Sequence, residues 1–68
     1  MEIDLHGYTH QKAEHLILNI FDFHKDTVIR FITGHSQQMK NIVKSLADEY
    51  NFKTESLIDT EIIVWIDA

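Results

Sequence analysis

Sixty-eight residues make a single domain, 1–68, with no room for a second. A chain this short buries only about 60% of the surface it exposes when unfolded, which limits its stability to about 3–5 kcal/mol. The absence of cysteine excludes a disulfide framework and a thiolate zinc site, and the formal net charge of −5 argues against a basic, non-specific nucleic-acid coat.

A small site of local positive potential remains compatible with that balance. Five histidines can add charge as pH falls toward about 6.5. No apolar run approaches the ~18 residues of a membrane helix. The opening Met1-Glu2-Ile3-Asp4 has neither the basic nor the apolar region of a signal peptide. The expectation is a cytoplasmic protein without membrane contact.

Residues Glu2 to Leu5 alternate polar and apolar, the pattern of a short strand with Ile3 and Leu5 turned inward and Asp4 and His6 on the opposite face. Gly7-Tyr8 forms a turn and Thr9 is placed to cap a helix. Ala13, Leu16, Ile17, Ile20 and Phe21 then recur at the spacing of one helix face. Thr27 to Thr33 is β-branched and apolar, as suits a strand near the centre of a sheet. Gly34-His35-Ser36 is the next turn, with Ser36 as cap, and Met39, Ile42, Val43, Leu46, Ala47 and Tyr50 form a second helical stripe. Phe52 to Leu57 reads as a polar edge strand, Asp59-Thr60 as a turn, and Glu61 to Ile66 as a central strand.

The order is therefore βαβαββ. Strand-helix-strand units predict parallel pairing with right-handed crossovers, and a tight turn between the last two strands predicts an antiparallel pair. These rules give an α/β, two-layer sandwich of the α+β kind. It is a mixed four-stranded sheet in the order 1-2-4-3, with both helices on one face.

Ligands of open α/β sheets gather beyond the carboxyl ends of parallel strands. Here those ends carry Asp4 and His6 on one strand, and Thr33, Gly34 and His35 on its neighbour. The second helix begins just after Gly34, and its first amide N–H groups can hold a phosphate. The candidate phosphate-binding residues are Gly7, Thr33, Gly34, Ser36, Lys40 and Lys44, the two lysines being placed off the apolar stripe. The candidate catalytic residues are Asp4, His6 and His35. One imidazole can take a proton from a 2′-hydroxyl or water while an acid protonates the leaving 5′-oxygen. Asp4 is in reach to orient His6, or to serve only as a turn-bonding carboxylate. His10, His15 and His24 read as surface residues. Phe31 and Trp65 have alternating neighbours, so one set must face away from the helices, where an aromatic could stack on a base. No metal or other cofactor is expected.

Asp4-Leu5-His6-Gly7, with Thr9 and Ala13 at the head of a helix, resembles the signature of Smr (small MutS-related) domains, and Thr33-Gly34 resembles that family's Thr-Gly-x-Gly motif. The likeness covers nearly the whole chain and implies a fold like the C-terminal domain of translation initiation factor three. It further implies nicking or endonuclease activity, including messenger-RNA cleavage at stalled ribosomes, with the Asp-x-His pair on Asp4 and His6. The chain departs from the family at Lys12, His35 and Ser36, and has Leu57-Ile58-Asp59-Thr60 where a glycine-rich loop is usual. The resulting expectation is an endonuclease of single-stranded RNA, with DNA or the ribosome as other partners, acting as a monomer or weak homodimer. The alternatives are a non-catalytic nucleic-acid- or ribosome-binding module and a protein-interaction domain using the uncovered sheet face.

Overall fold

A computed structural model describes residues 1–67. Its elements are β1 (Glu2–Asp4), α1 (His10–Phe23), β2 (Thr27–Ile32), α2 (Gln37–Glu49), β3 (Lys53–Glu55) and β4 (Glu61–Ile66). The sheet order is β1-β2-β4-β3, as the connection rules predict. β1 runs parallel to β2 with Ile3 opposite Phe31, and β4 runs antiparallel to both β2 and β3.

One alternating set of strand residues is buried: Leu5, Ile29, Phe31, Ile62, Val64 and Ile66. The helical stripes Ala13, Ile17, Ile20, Phe21 and Met39, Val43, Leu46, Ala47 close over it. Phe21 stands edge-on to Phe31, Tyr50 and Phe52, with centroids 6.1, 5.3 and 5.1 Å away, and so joins α1 to β2 and to the end of α2. The other face of the sheet is uncovered. It carries Trp65, with the Lys53 ammonium 5.5 Å from its ring centroid, and Arg30, which bridges Glu2 and Glu61 at 3.3 and 3.4 Å. Phe31 is thus the core aromatic and Trp65 the outward one.

Both helix starts follow from their caps. The Thr9 hydroxyl accepts the Lys12 N–H at 3.2 Å, and the Ser36 hydroxyl accepts the Met39 N–H at 3.1 Å. α2 ends with Asn51 in the left-handed region (φ 59°), where the Phe52 N–H reaches the Ala47 carbonyl and the Asn51 N–H reaches Asp48. The Tyr50 hydroxyl donates to Asp22 at 2.8 Å, which ties the helices together and raises the Tyr50 pKa.

The third strand is shorter than its alternation predicts. The Ser56 hydroxyl donates to the Ile58 and Glu61 carbonyls, which folds residues 56–61 into a turn. Among the described residues, no helix is long and apolar enough to cross a membrane.

Candidate functional site

The parallel pair β1-β2 sends both of its exits to one edge of the sheet, and an open cleft of about 380 Å³ lies there. His6, Gly7, Tyr8 and His10 line one side, from the β1 exit and the head of α1. Thr33, Gly34, His35 and Ser36 line the other, from the β2 exit and the cap of α2. Leu5 and Met39, both buried, form the floor.

The glycines shape this rim through the backbone. Gly7 (φ 84°) and Gly34 (φ 63°) are both left-handed, a region other residues enter at a cost. The Gly34 turn is fastened to the residue that precedes β4, the strand next to β2. The Thr60 carbonyl accepts the Thr33 N–H at 2.8 Å, the Gly34 N–H at 3.2 Å and the Thr33 hydroxyl at 3.3 Å.

Electrostatically the cleft differs from the whole chain. Two helix N-termini converge on it, and neither first turn contains an acidic residue. None of the lining residues is a carboxylate, while three of them are histidines. The Met39 and Lys40 N–H groups are taken by the Ser36 hydroxyl and carbonyl. Helix geometry leaves those of Gln37 and Gln38 for an external acceptor.

The structure brings His6, His35, Gly7, Gly34 and Ser36 together, and adds His10, which sequence reasoning assigned to the plain surface. Its place as first residue of α1, one turn past Gly7, was the available signal.

Four expectations need correction. Asp4 does not orient the His6 ring: its Oδ1 accepts the His6 backbone N–H at 2.8 Å, an Asx-type turn that competes with any side-chain role. Thr33 lines the cleft but is buried, and its hydroxyl donates to the Gly34 and Thr60 carbonyls, so its proton is committed to bracing the turn. Lys40 is not on the solvated face of α2. Its side chain is only 8% exposed, and its ammonium meets Asp59 Oδ1 at 2.9 Å. Lys44 is exposed on α2 but does not line the cleft.

Asp59 is the residue that sequence reasoning missed. Its second oxygen, Oδ2, lies 3.1 Å from His35 Nδ1. The hydrogen bond from Lys40, then that from His35, holds its carboxyl below the ordinary aspartate pKa. A second hollow, of about 420 Å³ on the uncovered sheet face, has Glu2 and Arg30 as its charged side chains, which pair with each other, while the Met1 ammonium that also lines it donates to the Val28 carbonyl. Among the described residues, no three metal-ligating side chains converge. No protein-family model, curated protein or solved structure matches the chain.

Proposed function

We propose that this chain is an endonuclease of single-stranded RNA, a divergent Smr-type domain that cuts by histidine acid–base chemistry. The observation that carries the reading is that His6 and His35 line the same cleft, beside the N-termini of both helices. A phosphodiester there would accept from the free N–H groups of Gln37 and Gln38, with the Ser36 hydroxyl beside them. One imidazole removes the proton of the adjacent 2′-hydroxyl. That oxygen attacks phosphorus and the bond to the 5′-oxygen breaks. The second, protonated, imidazole gives its proton to the departing oxygen. The products are a 2′,3′-cyclic phosphate and a 5′-hydroxyl, with no net proton gained or lost.

The test is incubation of purified protein with single-stranded RNA, with and without chelator, across pH. Cleavage with a bell-shaped pH profile is expected, and His6→Ala should lower it by about 100-fold or more. His6 is exposed, so the variant should keep the wild-type melting curve. Undiminished cutting by both His6→Ala and His35→Ala would refute the reading.

A second reading, a non-catalytic nucleic-acid- or ribosome-binding module, is favoured by the hydrogen bond that Asp4 Oδ1 accepts from the His6 main chain in place of the ring. Salt-sensitive binding of RNA without cleavage would select it, because phosphate contacts release counterions.

A further inference from the structure

The cleft holds three histidines, and among the described residues only the His35 ring has a hydrogen-bond partner. Asp59 uses both carboxylate oxygens on side chains: Oδ1 on the Lys40 ammonium at 2.9 Å and Oδ2 on His35 Nδ1 at 3.1 Å. Lys40 lies in the first turn of α2 and is buried, so one end of this chain of contacts is anchored in the protein. Thr60, next to Asp59, is bound through its carbonyl to both Thr33 and Gly34, next to His35. The main chain on either side of the Asp59–His35 contact is therefore already in register, and the side chains are not spanning two independent loops.

An ionised carboxylate only accepts hydrogen bonds, so Nδ1 of His35 has to be the donor. A neutral ring with its proton on Nδ1 carries a lone pair on Nε2. Among the described residues the His6 ring makes no hydrogen bond, and the neighbouring Asp4 uses Oδ1 on the His6 backbone N–H.

We propose that Asp59, anchored by Lys40, is a positioning residue that holds His35 as the Nδ1–H tautomer and so makes His35 the general base of the cleft and His6 its general acid. The assignment of roles rests on the nuclease reading; the tautomer does not. In the reaction, His35 Nε2 takes the 2′-hydroxyl proton and becomes the cation that Asp59 faces. His6 supplies the proton to the 5′-oxygen as the phosphorus–oxygen bond breaks. Exchange with water then returns each ring to its starting state.

Two measurements test this separately. Ring-nitrogen NMR of the wild-type chain at about pH 8, above the ordinary histidine range, should show His35 mainly as the Nδ1–H form. Asp59→Asn should shift it to mainly Nε2–H. Because that variant leaves the Lys40 ammonium buried without its counter-charge, the Lys40→Met/Asp59→Asn double variant is measured beside it. A wild-type ring that is mainly Nε2–H overturns the positioning role, as does a ring unchanged by both variants.

The second measurement compares a ribonucleoside dinucleotide with a ribonucleoside 3′-aryl phosphate, whose leaving group departs without a proton. His6→Ala should lose about 100-fold on the dinucleotide but stay within a few-fold of wild type on the aryl ester. His35→Ala should lose comparably on both, and Asp59→Asn about tenfold on both, the smaller loss reflecting an exposed contact. Rescue of His35→Ala in place of His6→Ala reverses the roles. Rescue of His10→Ala in place of His6→Ala removes His6 as the acid. No cleavage of either substrate by wild type removes the nuclease reading and the two roles with it, while the NMR result still decides what Asp59 does.

Discussion

Replacing Gly34 by alanine isolates the backbone at the centre of the cleft. Residue 34 has φ 63°, and a Cβ built there meets no atom within 4 Å. The substitution therefore introduces no clash, and its effect is conformational alone. Holding an L-residue in the left-handed region costs about 1–2 kcal/mol. Alanine also restricts the unfolded chain, which returns about 0.4–1 kcal/mol. The net loss is about 1 kcal/mol, a fall in Tm of about 4–8 °C for a domain of this size. Gly34→Asn should fall less, because asparagine tolerates this region. Thermal melts followed by circular dichroism measure both. A Gly34→Ala variant that melts at or above wild type would refute the backbone argument. The same variant bears on the cleft: a phosphate seated against residue 34 would meet the new methyl group, so RNA binding should weaken by more than the stability loss explains.

Phe21→Ala removes the ring shared by Phe31, Tyr50 and Phe52, a loss of about 3–5 kcal/mol, which equals the whole expected stability. It should show no cooperative melt at room temperature, and an intact transition would mean the core does not depend on that ring. Asp59→Ala should destabilise more than Lys40→Met, because the first strands a buried ammonium while the second releases a carboxylate that is already 75% exposed. Urea titrations of the two variants rank them, and the reverse order would contradict the burial of Lys40. Acid should act through the same contact. The Asp59 pKa is lowered by Lys40 and then His35, so its contribution is complete above the unfolded aspartate value near 4 and is lost as pH falls through the lower folded value. Wild-type Tm should therefore fall more steeply than that of Lys40→Met between about pH 4 and pH 2; parallel curves would remove the linkage.

Much of the architecture is legible in local patterns. The two helical stripes, the caps at Thr9 and Ser36, and the turns at Gly7 and Gly34 all follow from spacing and from residue chemistry. The strand order follows from one parallel unit and one tight turn. The site is less legible because its decisive contacts are distant in sequence: Asp59 lies 19 residues from Lys40 and 24 from His35. No local pattern announces such a meeting. Lys40 was misplaced for a different reason. It sits three residues before Val43 and seven before Ala47, on the edge of the buried stripe, but its charge suggested solvent. A long aliphatic stem can lie along such an edge when the ammonium finds a partner at its tip. Asp4 illustrates the opposite difficulty. Sequence leaves it two roles, orienting His6 or bonding a turn, and its bond to the His6 N–H is the local turn that the residue type itself favours.

The two outer strands, β1 and β3, each span only three residues. An incoming chain that tried to extend the sheet would find few main-chain donors and acceptors at either border, which discourages runaway stacking. Crowded solutions of this protein should therefore stay clear of fibrils, even with Val28 and Trp65 carried on an uncovered sheet surface.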